Sequence, residues 1–330
     1  MRSTLILILV SLSLGSAASA WTASPSSAGV TSKAQSLDEV TVIGKADLPT
    51  LRHEIHQFVQ SHAEPSTLIG QIGRWRQKVC PTVAGLRVAA ANYVRDRIES
   101  VAREAGAPAV KSGEKCSANI DVVFTDEPQE LLDHIAATKD RPLLGYYRRD
   151  LKAVATLHHP VQAWYMTGTR SLDAGLPIVG LAPGSAGANN NDDITAILRT
   201  GLHVDSAGTD GSMGFGASGN PESRLTKGLR SEFIHVLIIV DSKQVAKYSL
   251  GSISDYVALL ALTRIGSQDT CDGLSSILTL FNAGCGEPPT AITSADRAYL
   301  TALYRADLDM NLALEQSDIH ERMLHTISGK

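Results

Sequence analysis

Two imidazoles three residues apart on a helix can face the same way, as the first two ligands of a zinc ion must. Leu51-Arg52-His53-Glu54-Ile55-His56 offers that arrangement, with His62 further along the same segment. A zinc hydrolase of the H-E-x-x-H type needs a spacing of four and a third ligand. Neither is present here, so His53 and His56 read as an exposed helix face. His158-His159-Pro160 precedes a strand, where adjacent side chains diverge, which leaves these imidazoles as a candidate site without a defined partner. Ser112-Gly113-Glu114-Lys115 has the S-x-x-K spacing that pairs a serine nucleophile with a lysine base. It lies in a polar loop rather than at a helix start, and neither S-D-N nor K-T-G follows. Gly214-Phe215-Gly216-Ala217-Ser218-Gly219 matches G-x-G-x-x-G, with Asp241 about twenty residues on. No strand precedes these glycines, and Asn220-Pro221 stands where a phosphate-binding helix would run, so the motif reads as a Gly/Ser loop. The Asn189 to Asp193 run lacks the order of a calcium loop. Catalytic residues therefore stay unassigned, and no cofactor or metal site is expected.

The cysteines point elsewhere. Cys80, Cys116, Cys271 and Cys285 make an even set with no C-x-x-C spacing and no neighbouring His, which favours disulfides over zinc. Three pairings are open to them. Proximity favours Cys80 with Cys116 and Cys271 with Cys285, the second clasping both ends of one short helix and the first fastening the start of the long helix to the strand at Ile120. An oxidising compartment agrees with the N-terminus. There Arg2, an apolar run from Leu5 to Leu14 and the small residues Ala18-Ser19-Ala20 form a signal peptide cleaved between Ala20 and Trp21. That run is far short of the roughly 20 residues that span a bilayer, and no later segment qualifies, so the mature chain should have no transmembrane segment.

The 330-residue chain is 43% apolar and 19% charged with a net charge of −4, which excludes wholesale disorder and gives no electrostatic footprint for nucleic acid. Its organisation reads as a signal peptide (1–20), a flexible leader (21–36), an N-terminal α/β part (37–170), a Gly/Ser/Asn-rich insertion (171–230) and a C-terminal part (231–330) that joins 37–170 in one domain. Val40 to Ile43 is a short strand, and a helix follows Pro49 to about His62. Apolar residues at spacings of three and four predict a long helix from Leu86 to Ala105, stopped by Gly106-Ala107-Pro108. Strands are expected at Ile120–Phe124, Val161–Thr167 and Phe233–Val240, the last nearly all apolar and so buried on both faces. Asp126 and Pro128 open a helix carrying Leu131, Leu132, Ile135 and Ala136. Ser252 and Asp255 form a capping-box pair for a helix to about Ile265. Leu274, Ile277, Leu278 and Phe281 mark another helix ended by Gly284, Thr293 and Asp296 open the next, and Met310–Ile327 is the last. The fold class is α/β, with α+β as the alternative: a central mixed sheet, flanking helices and a helical C-terminal part.

Three resemblances add to this reading. Leu37-Asp38-Glu39-Val40-Thr41-Val42-Ile43-Gly44 resembles the segment near the mature N-terminus of TonB-dependent outer-membrane receptors, which adds a strand to an energy-coupling partner. The chain is too short for their barrel. The order of elements is similar to the upper part of zincin-type metallopeptidases. Asp255-Tyr256-Val257-Ala258-Leu259, Ser276-Ile277-Leu278-Thr279-Leu280-Phe281 and Thr293-Ser294-Ala295-Asp296 leading to Leu303-Tyr304 look like exported bacterial proteins of that kind. Where such a peptidase carries H-E-x-x-H, this chain has Ser254-Asp255-Tyr256-Val257-Ala258, so the resemblance implies a scaffold without its zinc chemistry. The whole chain also resembles an uncharacterised family of exported proteins of Gram-negative bacteria, which implies a periplasmic or secreted location and no particular activity. The leading expectation is a non-catalytic protein that binds an envelope protein or polymer. One alternative is a hydrolase using His158, His159 and the glycine-rich loop. The other is an accessory to TonB-linked transport using Val40–Ile43.

Overall fold

The computed structural model describes residues 48–66, 69–111, 114–145, 151–171, 229–268, 270–307 and 310–329. The expected signal peptide with its Ala20–Trp21 junction, the expected leader, the expected Val40–Ile43 strand and most of the 171–230 segment, Gly214 to Gly219 included, lie outside the described residues.

The apolar run at Phe233–Val240 becomes the spine of the sheet. It belongs to β4 (Leu229–Asp241), which pairs in parallel with β2 (Ile120–Thr125) and antiparallel with β3 (Val161–Ser171). A short β1 (Pro81–Ala84) pairs in parallel with β2, giving the order β1-β2-β4-β3. Successive side chains on a strand point to opposite faces. Val236, Ile238 and Val240 therefore join one core while Leu237 and Ile239 join another, which explains why the run has no polar alternation. Because β4 is inserted between β2 and β3, the blocks before and after the long insertion share one sheet.

The larger core holds α1 (Leu48–His62), α2 (Val88–Ala105), α6 (Leu250–Leu262), α7 (Ser294–Arg305) and α8 (Leu312–Ser328). The smaller core packs α3 (Pro128–Ala137) and the turn Arg141–Leu144 on the other face through Leu132, Ile135 and Leu144. The short helices α4 (Leu151–Val154) and α5 (Ser242–Val245) flank β3 and β4. The architecture is α/β, a mixed sheet with flanking helices.

Local chemistry sets the boundaries. Gly106 ends α2 at φ +83°, with backbone N–H bonds to Ala102 and Arg103 carbonyls. Thr293 and Asp296 form the full capping box of α7. The expected Ser252–Asp255 box does not form. Ser249 caps α6 by accepting the Ser252 N–H, because Asp255 is engaged elsewhere in the fold, and the helix stops at Leu262 rather than Ile265. The helix expected over Leu274–Phe281 is a 3-10 turn, Ile277–Phe281. Its start is fixed by the Asp296 carboxylate accepting the Ile277 N–H, not by a run of helical bonds.

Both disulfides join the sequence-proximal partners, Cys80–Cys116 and Cys271–Cys285. The second brackets 3-10 turns instead of an α-helix. The first anchors the entry to β1, a strand too short to read in sequence, rather than the start of α2.

Gly85 closes β1 at φ +84°, and a Cβ there would lie 1.8 Å from the Phe124 carbonyl oxygen. Gly85→Ala should therefore destabilise the protein by more than about 1–3 kcal/mol, the cost of a strained backbone residue, because a direct clash is added. Equilibrium urea unfolding measures this, and an unchanged midpoint would contradict the strand-end geometry.

Candidate functional site

The helix that stands where a peptidase would carry its metal ligands is α6. Every residue from Ser252 to Leu262 is buried, so its polar side chains must be satisfied within the protein. Ser254 Oγ donates to the Leu250 carbonyl at 2.6 Å, and Ser252 Oγ donates to Thr290 O at 2.7 Å. Asp255 accepts the Ile292 N–H at 2.8 Å and binds the Arg97 guanidinium of α2, which that hydrogen bond holds above its ordinary pKa. Ile253, Tyr256 and Val257 pack in the core, and Leu260, equally buried, also reaches the groove at the edge of β3 described below. Among the described residues no group of three His, Cys, Asp or Glu side chains could hold a metal ion.

The C-terminal end of α6 is capped by aromatic side chains. Tyr165 donates its hydroxyl toward the carbonyls of Leu260 (2.8 Å) and Thr263 (2.9 Å), Trp75 Nε1 donates to Ala261 O at 2.7 Å, and Tyr304 donates to Leu262 O at 2.8 Å. Burial pushes the Tyr165 and Tyr304 phenols far above their usual range, so both stay protonated as donors.

A second polar constellation surrounds His62. Its ring stacks on Phe58 with centroids 3.7 Å apart and meets the Tyr299 ring edge-on at 5.5 Å. Nδ1 lies 2.9 Å from the Phe58 carbonyl, which can only accept, so this nitrogen carries the proton. Nε2 faces Ser276 Oγ at 3.3 Å, and that hydroxyl lies 2.6 Å from Asp296. Ser61 Oγ donates to Asp272 and sits 2.9 Å from Nδ1. In a catalytic triad the imidazole stands between serine and carboxylate. Here Ser276 stands between the imidazole and Asp296, and Nδ1 is 3.9 Å from the Asp272 carboxylate, beyond hydrogen-bond reach, so the set does not have the geometry of a triad. Its signal in the sequence was a histidine at the end of an apolar helix face.

Asp121 and His235 form a third constellation. Asp121 accepts from Thr82 Oγ1 at 2.8 Å and from His235 Nε2 at 2.7 Å. Each interrupts an apolar strand, the one sequence clue available, but only the β1-β2-β4 order brings them together. His235 pairs with Met166 of β3 and lies on the face opposite Tyr165.

His158 and His159 do reach a cavity. With Gln162, Ala163, Tyr165, Leu260, Ile265, Gly266, Ser267 and Gln268 they line a groove of about 310 Å³ along the outer edge of β3. Among the described residues the lining carries imidazole, amide and hydroxyl groups but no carboxylate. The Asp241 N–H donates to Pro160 O, which sets the antiparallel ladder so that Gln162 and Trp164 bond to β4. Val161, Ala163 and Tyr165 then turn their N–H and C=O groups outward. Gln268 Nε2 covers the Val161 carbonyl at 3.4 Å. The outward groups of Ala163 and Tyr165 meet no strand among the described residues.

The other sequence candidates that fall among the described residues are not brought to this groove. His53 and His56 are exposed on α1, His56 edge-on to His320. Lys115 is exposed in a loop, and Ser112 lies outside the described residues. Asp241 caps α5, accepting the N–H groups of Lys243 and Gln244. Comparison with protein-family models, with curated proteins and with solved structures finds no match.

The His62 pocket makes a pH-dependent prediction. Burial lowers the imidazole from 6.5 to about 3. The unfolded chain therefore binds the extra proton first, and the stability tied to neutral His62 is full above pH ~6.5 and lost as pH falls toward about 3. Asp296, raised by burial, acts in the opposite sense, its contribution fading as pH rises through its folded value. Between pH 7.5 and 5, His62 should cost the native protein about 2 kcal/mol. Unfolding free energies of His62→Asn should lack this acid-side slope, and an identical slope in both proteins would contradict the assignment.

Proposed function

We propose that this chain is a non-catalytic binding protein of the bacterial envelope, built on a peptidase-like scaffold without a zinc site, and that it takes an extended segment of a partner protein along the outer edge of β3. The observation that carries this reading is the outward row of backbone groups at Ala163 and Tyr165 beside a groove whose lining, among the described residues, has no acid. An extended chain laid there would exchange main-chain hydrogen bonds with both residues, while Leu260 and Ile265 supply apolar contact and His158, His159, Gln162 and Gln268 supply polar side-chain contact. The opposite edge is poorly suited to the same use: β1 is four residues long and begins with Pro81, which has no N–H. The two disulfides and the N-terminal leader pattern support an extracytoplasmic, periplasmic location.

Each added main-chain hydrogen bond contributes about 0.5–1.5 kcal/mol net, so an association in the micromolar to millimolar range is expected. The test is selection of short random peptides on the purified full chain, followed by titration against Ala163→Pro. The Ala163 N–H points away from β4, so proline removes an outward donor and leaves the β3–β4 ladder bonded. Selected peptides should bind the native chain intact and lose binding to a variant that keeps its circular dichroism and melting temperature. Equal binding by Ala163→Pro would sink the edge-strand reading. Cleavage of the selected peptides that disappears in His158→Ala or His159→Ala would establish a hydrolase instead.

A further inference from the structure

The two disulfides are placed differently. Each bridge has one exposed half, Cys116 and Cys271, but the other halves differ: Cys80 is buried at 6% exposure at the entry to β1, whereas Cys285 is only half-buried in the loop that carries Asp272 and Ser276. That loop follows the groove wall in the chain and is also tied to it through Ser61. Ser61, at the end of α1, donates its hydroxyl to Asp272, and its carbonyl accepts the N–H groups of Gly266 (3.0 Å) and Ser267 (3.3 Å), which form the groove wall. His62 adds a second link to the same loop through Ser276. The loop is seated closely on α1, since a Cβ on Gly273 would lie 2.5 Å from Glu54 Cγ. Asp272 and Ser276 both lie inside the ring that Cys271–Cys285 closes, so the bond restricts the two groups that hold Ser61 and His62 in place.

We propose that Cys271–Cys285 is a redox-responsive clasp whose reduction loosens the Gly266–Gln268 wall of the β3 groove; the effect on partner binding rests on the edge-strand reading above. The reductant is an envelope dithiol of the Cys-x-x-Cys type. Its thiolate attacks the exposed Cys271 sulfur, breaking the S–S bond and releasing the Cys285 thiolate, which takes a proton. The second thiol of the reductant then attacks the mixed disulfide and frees the Cys271 thiolate, which is protonated in turn. The chain gains two electrons and two protons while the dithiol becomes a disulfide. Without the ring closure the loop gains freedom, and the Asp272–Ser61 contact that steadies the wall is no longer enforced.

The experiment exposes the native full chain to limiting dithiothreitol, traps free thiols by alkylation and measures hydrogen exchange by peptide. Cys271 and Cys285 should be alkylated before Cys80 and Cys116, and exchange should rise over residues 61–62 and 264–268 while β2 and β4 stay protected. Cys271→Ser/Cys285→Ser should show the same exchange pattern without reductant. Peptides selected on the oxidised chain should bind this variant at least about tenfold more weakly, a change of about 1.4 kcal/mol. Prior reduction of Cys80–Cys116, or unchanged exchange at 264–268 after reduction of Cys271–Cys285, would overturn the clasp. If no peptide binds either form while the exchange changes appear, the clasp stands and the edge-strand reading fails.

Discussion

A helix enclosed on every side still ends in carbonyls that have no partner within the helix. In water they would be solvated; in a core each would cost free energy unless a donor reached it. α6 meets this constraint with side chains from three separate places: Trp75 before β1, Tyr165 on the edge strand and Tyr304 near the end of α7. Each donor is an aromatic residue that buries a large apolar body while offering one polar tip. The same three contacts fix where β3, α7 and the Trp75 segment lie around α6. The position of the sheet edge and the packing of the C-terminal helices thus follow from the need to cap one buried helix.

The enclosure also determines what α6 can do. With Asp255 bound to Arg97 and Ile292, and the serines bonded to backbone carbonyls, the helix offers no free group to a substrate or a metal. The proposed binding site therefore falls at the rim of the core. Tyr165 joins the two regions, because its phenol caps α6 while its backbone faces the groove. One wall of the groove is therefore set by a helix that is buried and capped at its end. The other, Gly266 to Gln268, is bonded to Ser61, whose hydroxyl reaches Asp272 in the loop closed by Cys271–Cys285.

Elements defined by local physics were legible in the sequence. The apolar spacing of α2 and its Gly106 stop, the two-faced apolar run of β4 and the Thr293–Asp296 box each carry their whole signal within a few residues. The failures occur where distant residues intervene. Ser252-x-x-Asp255 looks like a capping box, but Arg97 and the Ile292 N–H claim the aspartate, and the cap moves to Ser249. Leu274 to Phe281 has helical spacing, yet Asp296 from α7 holds the Ile277 N–H and leaves room only for a 3-10 turn. β1 is too short, with Pro81 at its start, to announce itself. The groove was half legible: the His158-His159 pair drew attention, but that Ala163 and Tyr165 turn their backbone outward follows only from the β3–β4 register. The Asp121–His235 and His62–Ser276–Asp296 sets needed the topology itself.

The aromatic capping of α6 is tested most directly by native-state hydrogen exchange across Leu250–Leu262 in the native chain and in Tyr304→Phe. In the native chain these amides should exchange only through global unfolding, at the same free energy as those of β4. Tyr304→Phe, which orphans the buried Leu262 carbonyl, should lower that free energy by about 1–3 kcal/mol. Local opening of α6 well below the global value in the native chain, or no loss in the variant, would contradict the account.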